Sequence, residues 1–378
     1  MIYLDNSATT YPKPQKVISS VSNAMKLYGA NPGRSGHKMS IQSAEQIYRC
    51  RRIAADFFNA EGPECVVFTH NCTCATNFVL KGLLKPGDHV VVSCMEHNAV
   101  MRPLKKLSER GIRFTVVSAH PQDNDATLDA FRKGINADTA LIVCMHASNV
   151  CGLRFPVERI AAMARQYGIP ILVDAAQSAG VLPIDLKYSK IDYLCVAGHK
   201  GLYGPMGTGM LITRDEQNLD TIIEGGTGTN SMFLEQPSNI PDKFESGTPN
   251  LPGIVGLGAG MEFVMKQGME RILSHEQKLI QRAYESLSKM EGIKLYMPYP
   301  TERYFAPLLS FNVEGKDSET VGEYLNKNNI AVRSGLHCSP LAHEFLGTTD
   351  IGTVRVSPSV FTSMQNIESF ISAIKKIV

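Results

Sequence analysis

From about residue 40 to residue 257 the chain alternates short, unbroken apolar runs with amphipathic helical stretches. The strand candidates are residues 65–69, 89–93, 114–118, 140–145, 171–174 and 193–196. Helical stretches such as 156–167, just before Gly168 and Pro170, lie between several of them. A strand that is apolar at successive positions has both faces buried, and a helix between two such strands returns the chain for a parallel pairing. The pattern implies an α/β fold with a mostly parallel sheet covered on both faces. After Leu257 the texture changes to a long helical pattern over 258–291. It is followed by 308–313, a helix near 318–328, 330–333, 353–357 and a final helix from about Met364. Shorter sheet elements among helices fit a smaller α+β domain.

The 378 residues allow a sizeable core and more than one domain. Hydrophobic content of 43% and charged content of 20% are ordinary for a globular enzyme, and a net charge of +2 gives no reason to expect nucleic acid or a membrane surface as partner. No apolar stretch is long enough to span a bilayer, and Met1-Ile-Tyr-Leu-Asp-Asn6 lacks a basic region followed by a hydrophobic one, so a cytoplasmic protein is expected. Nine scattered cysteines, an odd number, point to reduced thiols instead of a secreted disulfide framework.

Two residues point to the chemistry. Asp174 ends the apolar run 169–173, and Lys200 lies in Ala197-Gly-His-Lys-Gly-Leu-Tyr-Gly-Pro-Met-Gly-Thr-Gly209. Pyridoxal 5′-phosphate needs an amine for its aldehyde and a carboxylate that keeps its ring nitrogen protonated. Asp174 at the C-terminal end of a buried parallel strand, and Lys200 flanked by glycines after the next strand, suit those roles. Alone, each has a plainer reading, as a helix cap and as a lysine on a solvated turn. The ends of other strands add to the pair. Thr73, in a segment that opens a helix, suits a phosphate at a helix N-terminus, or else an ordinary cap. His97 suits stacking on a ring and proton transfer. Asn149 and Gln177 suit hydrogen bonds to a phenolic oxygen.

Asp174-Ala-Ala-Gln177, Ala197-Gly-His-Lys200, Phe244-Glu-Ser-Gly-Thr-Pro249 and Arg333-Ser-Gly-Leu-His-Cys338 resemble the class V aminotransferase superfamily, and within it the cysteine desulfurase and selenocysteine lyase branch. The opening residues 3–10 and the segment 31–37 resemble it too. The resemblance implies a fold-type I enzyme dependent on pyridoxal 5′-phosphate, with a sheet of the seven-stranded type, working as a homodimer. A large domain over 15–257 would bind the cofactor, and a small α+β domain would be formed by 1–14 and 258–378. Carried over by position, Lys200 is the Schiff-base lysine and Asp174 the pyridinium partner. Gln177 and Asn149 lie near the phenolic oxygen, His97 stacks on the ring, and Thr73 and His199 contact the phosphate. Cys72 stands at a further phosphate position where threonine is frequent, and Ala197 where a serine is common. The hydrogen bond lost at Ala197 is then either missing or supplied by Thr227 or Thr229 of the second subunit. Arg355 matches the residue that grips the substrate carboxylate, with Asn149 beside it, and a guanidinium's parallel donors suit that task.

Cys338 decides the reaction. It lies in a loop punctuated by Gly335 and Pro340, next to His337 and near Arg333, where positive charge would favour the thiolate. Cys50, Cys65, Cys144 and Cys195 read as buried apolar residues. No paired Cys/His spacing announces a metal site. The loop from Cys338 to Arg355 is short, and Leu336 and Phe361-Thr362 depart from the family pattern. The implied reaction converts L-cysteine to L-alanine with a persulfide on Cys338 for a sulfur-acceptor protein. The rivals are L-selenocysteine cleavage, transamination with Cys338 incidental, and a non-catalytic carrier or scaffold.

Overall fold

The structure is a computed structural model that describes residues 1–33, 35–213 and 218–378; Arg34, inside the 31–37 segment, lies outside the described residues. In chain order it begins with β1 (Ile2–Tyr3), α1 (Gln15–Leu27), α2 (Lys38–Phe58), β2 (Val66–Thr69), α3 (Cys72–Leu83), β3 (His89–Ser93), α4 (Asn98–Ser108) and β4 (Arg113–Val117). It continues with α5 (Asn124–Gly134), β5 (Thr139–Met145), α6 (Val157–Gln166), β6 (Ile171–Asp174), α7 (Leu186–Ser189), β7 (Tyr193–Ala197), β8 (Gly209–Thr213) and α8 (Leu251–Gln267). The last elements are α9 (Met269–Leu287), β9 (Ile293–Leu295), β10 (Leu309–Val313), α10 (Ser318–Lys327), β11 (Ile330–Ala331), α11 (Pro340–Leu346), β12 (Val354–Val356) and α12 (Met364–Ile374).

A seven-stranded sheet in the order β2-β8-β7-β6-β5-β3-β4 organises the first two thirds of the chain. Its pairings are parallel from β7 through β4, while β8 runs against both of its neighbours. Successive residues alternate between two cores. Val66, Phe68, Ile142, Val173, Leu194 and Val196 enter one, and Val67, Val90, Val92, Val143, Leu172 and Cys195 enter the other. Both faces are covered at β2, β3 and β5 to β8, which is why most of these strands read as continuous apolar runs; the edge strand β4 is largely exposed, with only Val117 buried. The C-terminal ends of β2, β3, β5, β6 and β7 fall on one edge, together with the start of β8, where Gly209 pairs with both Thr69 and Ala197. A Cβ at Gly209 would lie 2.5 Å from the Asn71 carbonyl carbon, so only glycine lets the entry to α3 settle on this strand.

A second set of small sheets follows. β12-β10-β9 is antiparallel, and β1 pairs in parallel with β11. Leu4 joins Leu279, Phe311, Val354, Phe370 and Ile374 in one core, so residues near position 1 pack with residues beyond 270.

Several boundaries differ from the sequence reading. Cys65 belongs to a 3-10 turn, Pro63–Cys65, set off by its proline. β8 was not anticipated, because its first residue closes a glycine-rich segment. β1 and β9, of two and three residues, were too short to stand out. The pattern over 258–291 is two helices: α8 starts earlier, with a proline in its first turn, and Gly268 at φ 84° ends it before α9. Leu257 falls inside α8, which lies against α1 and α2.

Candidate active site

One cavity opens at the C-terminal edge of the large sheet, lined by Asn71, Cys72 and Thr73 after β2, His97 after β3, and Asn149 after β5. Asp174 and Gln177 line it from β6, and Ala197, His199 and Lys200 from β7. The sequence had placed these residues at separate strand ends; the parallel order brings them to one place.

The Lys200 amine forms no hydrogen bond with the described residues, while its carbonyl accepts from Thr10 Oγ1 at 3.1 Å. Burial pulls its pKa below the usual lysine range, with Asp174 acting in the opposite sense. The peptide before it is held firmly: the His199 carbonyl accepts from Thr9 Oγ1, Thr10 Oγ1 and Lys13 Nζ at 3.1, 3.2 and 2.8 Å. Asp174 is 4% exposed, and its Oδ1 accepts from the Ala176 amide at 2.8 Å. Cys72, expected near a phosphate, instead directs its Sγ to Asp174 Oδ1 at 3.5 Å, and burial pushes its thiol pKa up. At the start of α3, Asn71 caps the Cys74 amide, and the first helical N–H groups, at Cys72 and Thr73, have no partner within the helix. The His199 imidazole is held down to about 4, mainly by burial, and its Nδ1 is buried without a partner. His97 is the N-cap of α4, with Nδ1 accepting from Ala99 at 3.0 Å, and burial lowers its pKa. Gln177 Nε2 donates to the Ser7 carbonyl at 3.1 Å.

Glu96 escaped the sequence reading, though it immediately precedes His97. It is fully buried, accepting from Ser93 Oγ at 2.5 Å and the Met145 amide at 2.8 Å, and burial raises its pKa to about 8.

The cysteine loop borders this cavity. Cys338 is the only exposed cysteine of the nine; seven are buried and Cys74 is half-buried, and all are free thiols. Its Sγ lies 3.5 Å from Arg333 Nη2. His337 supplies no charge, contrary to expectation. Burial drives its pKa down to about 2, and its Nε2 is bonded to Thr353 at 3.0 Å. Asn149 Nδ2 donates to the His337 carbonyl at 2.7 Å, and its Oδ1 accepts from Ser339 Oγ at 2.7 Å, so this side chain is engaged by the loop. Between Cys338 and Arg355 the chain also makes the helix α11. Arg355 is 1% exposed, with Nη1 on the Asn149 carbonyl at 2.8 Å and Nη2 on Asp5 Oδ1 at 2.7 Å, while Nε has no partner. Asp5 lies in the segment 3–10 that resembles the family, which implied no role for it.

Thr227 is not at this cavity. It lies in an exposed segment, bonded to Thr229 Oγ1 at 3.0 Å, along a groove shared with Tyr48, Arg51 and Asp242. At the departures from the family pattern, Ala197 lines the cavity and Leu336 is exposed. Phe361 stacks on Phe263, and the Thr362 carbonyl meets His275 Nε2 at 2.8 Å. Among the described residues no His, Cys, Asp and Glu cluster could hold a metal ion, and no helix is long and apolar enough to cross a membrane.

The family model described as aminotransferase class-V matches residues 2–370. A probable cysteine desulfurase of Pyrococcus abyssi is 34% identical over 388 aligned residues, covering 100% of this chain and 94% of that protein. A cysteine desulfurase of Salmonella agona is 31% identical, covering 100% and 93%. Among solved structures, the apo cysteine desulfurase of Thermococcus onnurineus superposes with a TM-score of 0.91 at 33% identity, covering 100% and 94% of the two chains. The Escherichia coli cysteine desulfurase CsdA, in an S-sulfonic acid form, gives 0.87 at 26% identity, covering 99% and 94%.

Proposed function

The chain belongs to the aminotransferase class-V family, and on that footing we propose that it is a pyridoxal 5′-phosphate-dependent cysteine desulfurase. It converts L-cysteine to L-alanine and keeps the sulfur as a persulfide on Cys338. The observation that carries this reading is the contrast between one exposed thiol set against a guanidinium and eight shielded ones.

The residues present fit the cofactor. Lys200 is a buried amine without a hydrogen-bond partner, and Asp174 faces the same cavity. The unsatisfied amides of α3 and the unpartnered His199 Nδ1 suit a phosphate, with Thr73 beside them. His97, Gln177 and Asn149 complete the walls. When bound, the cofactor supplies an aldehyde carbon for the substrate amine and a protonated ring that accepts the electron pair released at Cα.

Arg355 takes the substrate carboxylate, its unpartnered Nε still free while Asp5 and the Asn149 carbonyl fix its plane. Lys200 removes the proton at Cα and returns it to the product, and the burial that weakens its basicity keeps its amine form accessible. Cys338 Sγ, as thiolate, attacks the substrate sulfur. The new S–S bond forms as Cβ–S breaks, and the electron pair left on the substrate carbon takes up a proton, giving alanine. A thiol of the acceptor protein then takes the sulfur from Cys338.

The reading includes a homodimer. Its support is the distance of Thr227 from its own cavity and the exposed apolar tip Met232, Phe233 and Leu234, at 95%, 69% and 102% exposure, in the same segment. It also includes a cytoplasmic setting, supported by the nine free thiols. The division into 15–257 and 1–14 with 258–378 belongs to the same proposal.

The test is alanine release from L-cysteine by the cofactor-loaded protein in the presence of a thiol reductant. Wild type should release alanine, and Cys338→Ala should lose about a hundredfold or more. Equal release from both would remove Cys338 from the reaction, and no release from either would leave L-selenocysteine cleavage or transamination.

A further inference from the structure

A serine at a helix N-cap ordinarily turns its hydroxyl back to accept from the amides of its own first turn. Ser339 is the N-cap of α11, yet it makes no such bond. Its hydroxyl, fully buried, donates to Asn149 Oδ1 at 2.7 Å, across 190 positions of sequence. The other end of the same amide, Asn149 Nδ2, holds the His337 carbonyl at 2.7 Å. The nucleophile between these residues is tied by its main chain, its carbonyl accepting from the Asn98 amide at 2.9 Å.

The backbone needs such ties. His337 at φ 49° and Cys338 at φ 61° are consecutive residues with side chains in the left-handed region, where a Cβ crowds the neighbouring carbonyl. Such a pair persists only when surrounding contacts over-determine it. Gly335, at φ 97°, is tied on one side of the pair by two backbone hydrogen bonds with Thr353, which leaves the turn itself to be held from the other side. In this turn Sγ meets Arg333 Nη2 while Asn149 keeps its place in the cavity wall.

We propose that Ser339 is a positioning residue for Cys338: its hydroxyl, acting through the Asn149 amide, latches the nucleophile's left-handed turn against the wall of the cofactor cavity. The latch deepens the desulfurase reading and rests on it for its catalytic consequence, but not for its structural one. Without the hydroxyl, Asn149 loses one of its two holds on the loop, Cys338 samples other turns, and sulfur transfer slows while the lysine and aspartate half of the site is untouched.

The experiment compares wild type with Ser339→Ala in two measurements. In the first, hydrogen–deuterium exchange is followed on the cofactor-free protein. Amides of residues 334–339 and of Asn98 should exchange about tenfold faster in the variant, equivalent to ~1.4 kcal/mol for one buried hydrogen bond. The helix Met269–Leu287 should exchange as before, which reports that the variant is folded. In the second, the cofactor-loaded proteins are assayed with L-cysteine. The visible spectrum of the lysine-bound cofactor and KM should stay the same while kcat for alanine release falls about tenfold. Unchanged exchange in 334–339 would overturn the latch. Faster exchange with kcat unchanged would overturn its role in positioning, and so would a shifted cofactor spectrum or a change confined to KM. If wild type itself releases no alanine, the desulfurase reading fails, and exchange alone decides the latch.

Discussion

The two halves of the site are built in opposite ways. The Lys200 cavity sits on the edge of a sheet whose central strands are buried on both faces, and most of its groups are placed by regular secondary structure. Burial also sets their charge: it lowers Lys200, His97 and His199 and raises Glu96 and Cys72. The Cys338 half is an irregular loop with an exposed thiol, held by hydrogen bonds from distant residues. The difference follows from the work each part must do. A ring and a lysine gain from a dry, rigid wall. A thiol that must collect sulfur inside and surrender it outside has to remain reachable, so it is restrained by bonds instead of burial.

The sharpest way to break this division is Lys200→Ala, which should lower alanine release by about 10³-fold or more. Alkylation of Cys338 in the cofactor-free protein should proceed at its wild-type rate. Altered thiol reactivity would mean that the halves are not separable. Arg355→Lys addresses the residue that both halves share. It keeps the charge but loses the fork, so kcat/KM for L-cysteine should fall about ten- to a hundredfold. The effect should appear mainly in KM, because Lys200 and Cys338 are unaltered; a pure kcat effect would assign Arg355 to the reacting atoms instead of the carboxylate.

The smallest effect concerns Glu96, whose folded pKa is about 8 against an ordinary value of 4.5. Between those values the native state holds a proton that the unfolded chain has released, so the contribution of this group falls as pH rises from about 5 to 8. Glu96→Gln removes that dependence, and its melting temperature relative to wild type should climb over the same interval by about 2 °C or more. A constant difference would show an ionised Glu96, and with it a cavity less dry than its burial implies.

How much was legible in the sequence follows the same divide. β3, β5, β6 and β7 stood out because burial on both faces leaves unbroken apolar runs, and Lys200 and Asp174 could be read from their places at the ends of such runs. β8 could not, since its glycine start disguises a strand, and neither could the break at Gly268, a weak signal between two amphipathic helices. In the loop half, neighbours in sequence misled: His337 adjoins Cys338 but is buried and neutral. The ties that matter, Ser339 to Asn149 and Arg355 to Asp5, span 190 and 350 positions, and no local pattern encodes them. Cys72 was placed by its position at the start of α3, which says nothing of the rotamer that turns it to Asp174.

The pairing of residues 2–5 with the far end of the chain has a consequence in time. A ribosome delivers these residues before the large sheet, and their partners at Ile330, Ala331, Arg355 and Ser357 only after the whole of it has been made. Until then β1 has no neighbour, Asp5 has no counter-charge, and the segment that clamps the peptide before Lys200 lacks its outer anchor. In the proposed reading the place for an amino acid's carboxylate is therefore finished after the place for its amine, and a chain halted before residue 355 carries the lysine without Arg355 to seat a substrate.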